Sequence, residues 1–213
     1  LIELKLFDHK SFSLGSVVRF LSFIANSPIY YLSPFLLIDG YGLSSSKTGI
    51  YILPGPLMMA ISGPIAGKLS DKMGSYFPRI VGAMCLSISV SLYLFATILN
   101  KEFVMVAYAF QGLGMGIFGT ANTSYIFTSV KENNYGSVNA FLTLTRTSGN
   151  IIGISISTAL VLVFLSLSSN ELNNVDPDTI SYISSISKAF ILPTLLSIIT
   201  FILTISLKDE KYI

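Results

Sequence analysis

Charge is scarce in this sequence. Only 11% of its 213 residues are Asp, Glu, Lys or Arg, against about a quarter in a typical soluble domain. There is one cysteine, Cys85, which rules out an internal disulfide and a cysteine-rich metal site. There is one histidine, His9, in a polar lead where a solvated surface position is the ordinary expectation. Carboxylates are absent from the middle of every apolar run: Asp39 stands at the edge of one, and Asp71 and Glu132 fall in turns. With no serine/histidine pairing, histidine cluster or intramembrane acid pair, the chain is not expected to be an enzyme or to carry a cofactor or metal. The formal net charge of +2 is small and dispersed, which argues against nucleic acid as a partner.

What is present is apolar length. Hydrophobic residues make up 52% of the chain, and mean hydropathy is +0.70. Several runs of about twenty apolar residues are each long enough to cross a hydrocarbon core of about 30 Å. The expectation is an all-α polytopic membrane protein with six transmembrane helices in one bundle, at about 14–37, 48–68, 78–99, 103–128, 138–165 and 185–207. Residues 1–13 form a polar lead and 208–213 a tail. The chain opens on leucine with no cleavable signal pattern, as expected of a fragment or processed piece of a longer polypeptide.

The spans differ in character. In the first, Arg19, Ser22, Asn26, Tyr30 and Ser33 share one helical face. That stripe faces either a watery cavity or neighbouring helices, where Ser and Asn act as hydrogen-bonding glue. Pro28 and Pro34 should loosen this span, and Pro54, Pro56 and Pro64 should bend the second. Gly63 and Gly67 form a GxxxG pair suited to close helix approach. The third and sixth spans are the plainest and are expected to face lipid. The fourth carries Gln111, Asn122 and a small-residue face of Gly112, Gly116, Gly119 and Thr123. Its QGLGMG run is no nucleotide loop, because it lies inside an apolar span with no strand before it. In the fifth, Asn139, Thr143, Arg146, Asn150, Gly153 and Ser157 form a continuous polar or small stripe, and Gly149 with Gly153 makes a second GxxxG pair. Arg146 lies about 13 Å along that helix from Ser137. A charge so deep costs about 2.5–3.5 kcal/mol on insertion scales, so a partner or water is expected beside it.

Positive charge fixes the expected orientation. The side of the two termini holds Lys5, Lys10, Arg19, Lys68, Lys72, Arg79, Lys131, Lys208 and Lys211; the opposite loops hold Lys47 and Lys101, with Lys188 at a span edge. The positive-inside rule then puts both termini in the cytoplasm.

The stretch Gly63–Gly74, GPIAGKLSDKMG, is read as the end of the second span followed by a polar cytoplasmic turn. Asp71 can cap a helix start, and Lys68 suits the negative end of a helix dipole. Lys72 or Arg79 can pair with Glu132. The plain alternative is an ordinary charged turn. Written as Gly67-x-Leu69-Ser70-Asp71-Lys72-x-Gly74, the stretch resembles the loop signature of major facilitator transporters, G-x-L-[AS]-D-[RK]-x-G. With QGLGMG and the R-x-x-G-x-x-x-G of Arg146, Gly149 and Gly153, the whole chain resembles the carboxyl-terminal six-helix half of a fourteen-span drug:proton antiporter.

That resemblance implies an alternating-access secondary transporter in the cell membrane, in which two six-helix bundles rock about a midplane site. It implies proton-coupled efflux of lipophilic or cationic drugs. The implied partners are the lipid bilayer, a small-molecule substrate, protons, and an amino-terminal half or a second copy. A facilitator carrier for another solute, or a dimerising half-size transporter, stands as the alternative. By analogy the first and fourth spans line the cavity and the second and fifth meet the other bundle. Arg19, Asn26, Gln111, Asn122, Arg146 and Asn150 then belong to the cavity or bundle interface. Gly67, Leu69, Asp71, Lys72, Gly74, Arg79 and Glu132 belong to the gating loop, and Gly63, Gly112, Gly116, Gly149 and Gly153 to helix packing. SGPIAG superficially resembles the family's antiporter signature but runs into the cytoplasmic loop, so the proton-titrating group is expected on the other half.

Overall fold

In the computed structural model, residues 4–96, 98–128, 130–171 and 179–207 are described; the tail at 208–213 lies outside them. Among the described residues, six helical stretches are long and apolar enough to cross a membrane. The all-α, major-facilitator-type bundle expected from the sequence is the fold of this chain.

Span one is α1 (Lys10–Phe35), extended by a π-helical turn at Leu36–Gly40. Pro28 and Pro34 sit inside α1. A proline ring crowds the carbonyl four residues earlier and removes one donor, which loosens the ladder just before the wider turn begins. Gly42, at φ 66°, reverses the chain. Ser44 then caps α2 (Ser45–Ile52) by accepting from the Lys47 amide. Span two consists of α2 and α3 (Pro54–Met73), broken at Leu53 where prolines begin. Span three is α4 (Tyr76–Leu92), continued by one 3-10 turn at Tyr93–Phe95, and span four is α5 (Phe103–Phe127).

Two boundaries depart from the sequence expectation. Span five is α6 (Tyr135–Glu171), a helix of 37 residues. At 1.5 Å per residue it is about 55 Å long, well beyond the hydrocarbon core, so the loop expected from residue 166 begins later. Span six begins at Thr179, as α7 (Thr179–Ala189), and resumes after Phe190 as α8 (Ile191–Ser206).

The packing repeats itself. α3 lies along α5 as α6 lies along α1, and α4 packs on α5 as α8 packs on α1. The first three spans and the last three thus play equivalent parts, the inverted three-helix repeat of alternating-access carriers. Spans one and four sit at the centre. At the end of the bundle near Tyr41, Tyr93 stacks on Phe190 at 4.4 Å within a core that includes Ile29, Leu36, Tyr108 and Ile186. At the end near the termini, Phe12, Ile126, Val138 and Leu142 form a second core.

Span three, expected to face lipid, keeps Phe77, Met84, Ile88 and Phe95 exposed but is also tied into the bundle. Half of its apolar window is buried, against 17% for spans two and five. Its serines explain this: Ser87 donates to Ser197 O at 3.0 Å and Ser89 to Ala107 O at 2.7 Å, tying the helix to both neighbours.

Candidate functional site

The gating-loop residues divide. The Lys68–Met73 segment is not a polar turn but the last turn of α3, and only Gly74 breaks the helix. Gly74 has φ 85°, a backbone conformation that glycine adopts without a steric penalty, and its amide reaches Ser70 O at 3.0 Å. Gly67 and Leu69 are half-buried on this turn, while Asp71 and Lys72 are exposed. Asp71 hydrogen-bonds no described residue, and α4 starts at Ser75 without a side-chain cap. Arg79 is fully buried, with its guanidinium 3.6 Å from the Tyr125 ring centroid and a hydrogen bond to Leu207 O at 2.5 Å. It therefore clasps α4, α5 and the end of span six, and does not pair with Glu132, which is exposed on the 3-10 turn Glu132–Asn134.

The packing glycines also divide. A Cβ at Gly112 would overlap the Gly55 carbonyl, and one at Gly116 would overlap the Ser62 hydroxyl. On α6, a Cβ at Gly149 would come within 2.9 Å of Phe23 Cβ, and one at Gly153 would strike Ile24 O. Gly63 is different. Its own added Cβ would meet nothing nearer than Thr120 Oγ1 at 3.9 Å, whereas its backbone N lies 3.0 Å from a Cβ built at Gly116, so span two approaches α5 through Gly55, Ser62 and the Gly63 backbone.

Three of the six cavity candidates lie inside the bundle. Asn26 is 1% exposed and donates to Ser22 O of its own helix. Asn122, fully buried, donates to Gly15 O at 3.0 Å and joins α5 to α1. Gln111 is fully buried beside Tyr30, with neither amide atom in a well-formed hydrogen bond among the described residues. Of the three, only Asn122 makes a hydrogen bond between helices.

The other three lie on the open side, and they meet at Phe23. The Arg19 guanidinium carbon lies 5.2 Å from the centroid of that ring and that of Arg146 5.9 Å. One Arg19 N–H donates to Thr123 Oγ1 at 3.0 Å, and Thr123 in turn donates to Gly119 O at 2.7 Å. Asn150 faces the same groove of about 300 Å³, walled by Tyr30, Met59, Met115 and Ile154. The backbone holds it: Ser27 donates to Asn150 O at 3.2 Å where Gly149 and Gly153 bring α6 onto α1. Phe23 was not singled out from the sequence. Its spacing of four residues from Arg19, which makes the two neighbours on one helical face, is the signal that could have found it.

The groove's electrostatics are one-sided. Among the described residues, Asp8, Asp39, Asp71, Glu102, Glu132 and Glu171 all stand at or near helix ends, and no ion pair joins any of them to these arginines. Two guanidiniums near one aromatic ring, in low dielectric, gain up to about 2 kcal/mol each from the ring. A charge at mid-helix costs about 2.5–3.5 kcal/mol on insertion scales, so the ring alone does not offset them.

Comparison with known proteins follows the geometry. Residues 2–154 match the Major Facilitator Superfamily. The chain belongs to that family. Membership indicates a transporter rather than an enzyme. This major facilitator bundle is 26% identical over 207 residues to the riboflavin transporter RibZ of Clostridioides difficile (strain 630), covering 96% of the chain and 44% of that protein. It is 25% identical over 166 residues to the multidrug resistance protein Stp of Mycobacterium tuberculosis (strain ATCC 25618 / H37Rv), covering 78% and 31%. It is 24% identical over 179 residues to the quinolone resistance protein NorB of Staphylococcus aureus (strain MRSA252), covering 83% and 37%. The chain spans less than half the length of these curated relatives.

Proposed function

We propose that this bundle is the carboxyl-terminal half of a fourteen-span, proton-coupled exporter of lipophilic compounds that works by alternating access. One observation carries the reading. Spans two and five are only 17% buried, yet they flank a groove lined by Arg146 and Asn150, with Arg19 beside its Phe23 wall. Helices so placed need a second bundle against them, and the groove between the bundles is where substrate binds. Relatives more than twice the length of the matched region accord with that second bundle, the amino-terminal half, supplied by the same polypeptide. The bilayer, a small-molecule substrate and protons are the remaining partners. The proton-titrating carboxylate belongs to the other bundle, since the groove here offers none.

Both termini are cytoplasmic in this reading, in the cell membrane. Arg19 and Arg79 drop out of the charge comparison because the bundle takes them up; Lys68, Lys72 and Lys131 still outnumber Lys47 and Lys101. With Cys85 replaced by Ala, Lys47→Cys should label from outside intact cells and Lys72→Cys should not. Inverted membrane vesicles carrying the full-length protein should accumulate a fluorescent lipophilic dye when a proton gradient is imposed. Accumulation that survives collapse of the gradient by nigericin would instead identify an uncoupled facilitator.

A further inference from the structure

We propose that the groove between α1, α3, α5 and α6 recognises the negatively charged group of an aromatic substrate, a carboxylate or sulfonate, held between Arg19 and Arg146 beside Phe23. The inference rests on the transporter reading and narrows it, because the family resemblance admits cationic drugs and this groove opposes them.

The donors are arranged for it. Arg19 spends one N–H on Thr123, and its Nε is buried without a partner among the described residues. Arg146 is exposed to the groove and makes no hydrogen bond or ion pair with any described residue; the Phe23 ring lies 5.9 Å from its guanidinium carbon. A guanidinium held by a ring rather than by a carboxylate keeps its planar fork open, and two parallel N–H groups fit one carboxylate edge to edge. Asn150 offers an amide to the same ligand, and Tyr30 a hydroxyl.

The remaining wall suits an aromatic body. Met59, Met115 and Ile154 give an apolar surface with two polarisable thioethers, which favour contact with rings. A volume of about 300 Å³ is at the lower bound for a small-molecule site, as expected of one bundle's share of it. A cation entering here meets two like charges and no described carboxylate, and like charge in a water-poor site rejects a ligand.

The test uses full-length transporter, detergent-solubilised for binding and reconstituted for transport, with two probes of one shape and opposite charge. These are 1-pyrenebutyrate and 4-(1-pyrenyl)butyl-trimethylammonium. Wild type should bind the anion at least about tenfold tighter. Arg146→Gln should weaken anion binding about tenfold while leaving the cation unchanged or tighter, with a melting temperature within a few degrees of wild type. Arg146→Lys should fall between, because it keeps the charge and loses the fork. Arg19→Gln should repeat the loss where it folds, and Arg146→Gln alone decides where it does not.

Equal affinity for both probes, binding of neither, or anion binding indifferent to Arg146 would overturn the proposal. The last of these, combined with a lowered melting temperature, would assign Arg146 to a carboxylate of the other bundle instead. Proton coupling is read separately, from transport in the same vesicles. Its absence would remove the antiporter reading and leave charge selectivity standing.

Discussion

Spans one and four carry their polar side chains inward, whereas span five carries its polar residues outward. The two central spans are 61% and 56% buried, and on them Asn26, Gln111 and Asn122 are enclosed. On α6, which is 17% buried, Arg146 is exposed and Asn150 half-buried. A polar stripe therefore means different things on different helices. Where a helix is surrounded by protein its amides are enclosed, and Asn122 bonds a neighbouring helix's backbone; where its face is open, the same residue types are available to a ligand or a second bundle. Arg19 stands at the boundary, on a central helix but turned toward the open side through Thr123.

The hardest way to break the buried side is to add volume where backbone blocks it. Gly112→Leu drives a side chain into the Gly55 carbonyl, while Gly119, two turns along the same helix, has nothing within 4 Å of an added Cβ. Overpacking costs about 1–3 kcal/mol, and more where the obstacle cannot rotate away. Gly112→Leu should thus abolish monodisperse protein on size-exclusion chromatography, and Gly119→Leu should leave the yield near wild type. Equal yields would remove the distinction between these two glycines of α5.

Next comes the clasp at the terminal end. Arg79→Ala removes a charged hydrogen bond to Leu207 O and the stacking on Tyr125, together worth about 3 kcal/mol. Its melting temperature should fall clearly. Asp71→Asn, on the exposed last turn of α3, should change stability by less than about 0.5 kcal/mol. It should still slow transport if Asp71 bonds a helix start of the other half. Wild-type transport by that variant would leave the loop resemblance without a gating role.

Within the core the two amides should separate. Asn122→Ala discards the bond to Gly15 O and should cost about 1 kcal/mol. Gln111→Met replaces an amide that has no well-formed bond among the described residues with an apolar chain of similar volume, and should be neutral or stabilising. Thermal unfolding followed by the thiol reactivity of buried Cys85 reads both. A loss at Gln111 as large as at Asn122 would place Gln111 among the residues that hold the bundle.

How much of this was legible beforehand depended on range. Six apolar runs and the repeated small residues of α5 and α6 were readable because membrane crossing and close helix approach leave local periodic marks. The turn expected at Lys68–Met73 was misjudged because polar residues at a membrane boundary look like a loop, although nothing before Gly74 stops the helix. Gly55 and Ser62 were missed beside Gly63, since a glycine pair does not tell which neighbour touches it. The ties of span three to its neighbours were hidden for a related reason: serine hydroxyls leave hydropathy almost unchanged yet bond across helices. The pairing of Arg19 and Arg146 near Phe23 spans more than a hundred residues of chain and exists only after folding.

The smallest effect lies at the far end of the bundle, where a titratable group outside the spans tests whether the first span is tied to the third. Tyr41 donates its hydroxyl toward Ala96 O at 2.9 Å and Leu99 O at 3.2 Å. Burial, and secondarily the charge of Glu102, raises its pKa above the ordinary value of 10.0. Lys101 lines the same pocket but is not among the causes of the shift. A phenolate could not donate to either carbonyl. The stabilisation from this tie is accordingly complete below the unfolded value of 10.0 and lost as pH rises through the higher folded value. Tyr41→Phe should cost about 1 kcal/mol at neutral pH. It should also flatten the part of the alkaline stability loss that begins above about pH 10. Unfolding of the two proteins should converge at high pH; a constant difference across the whole range would mean that the ring, and not the hydroxyl, holds span one to span three.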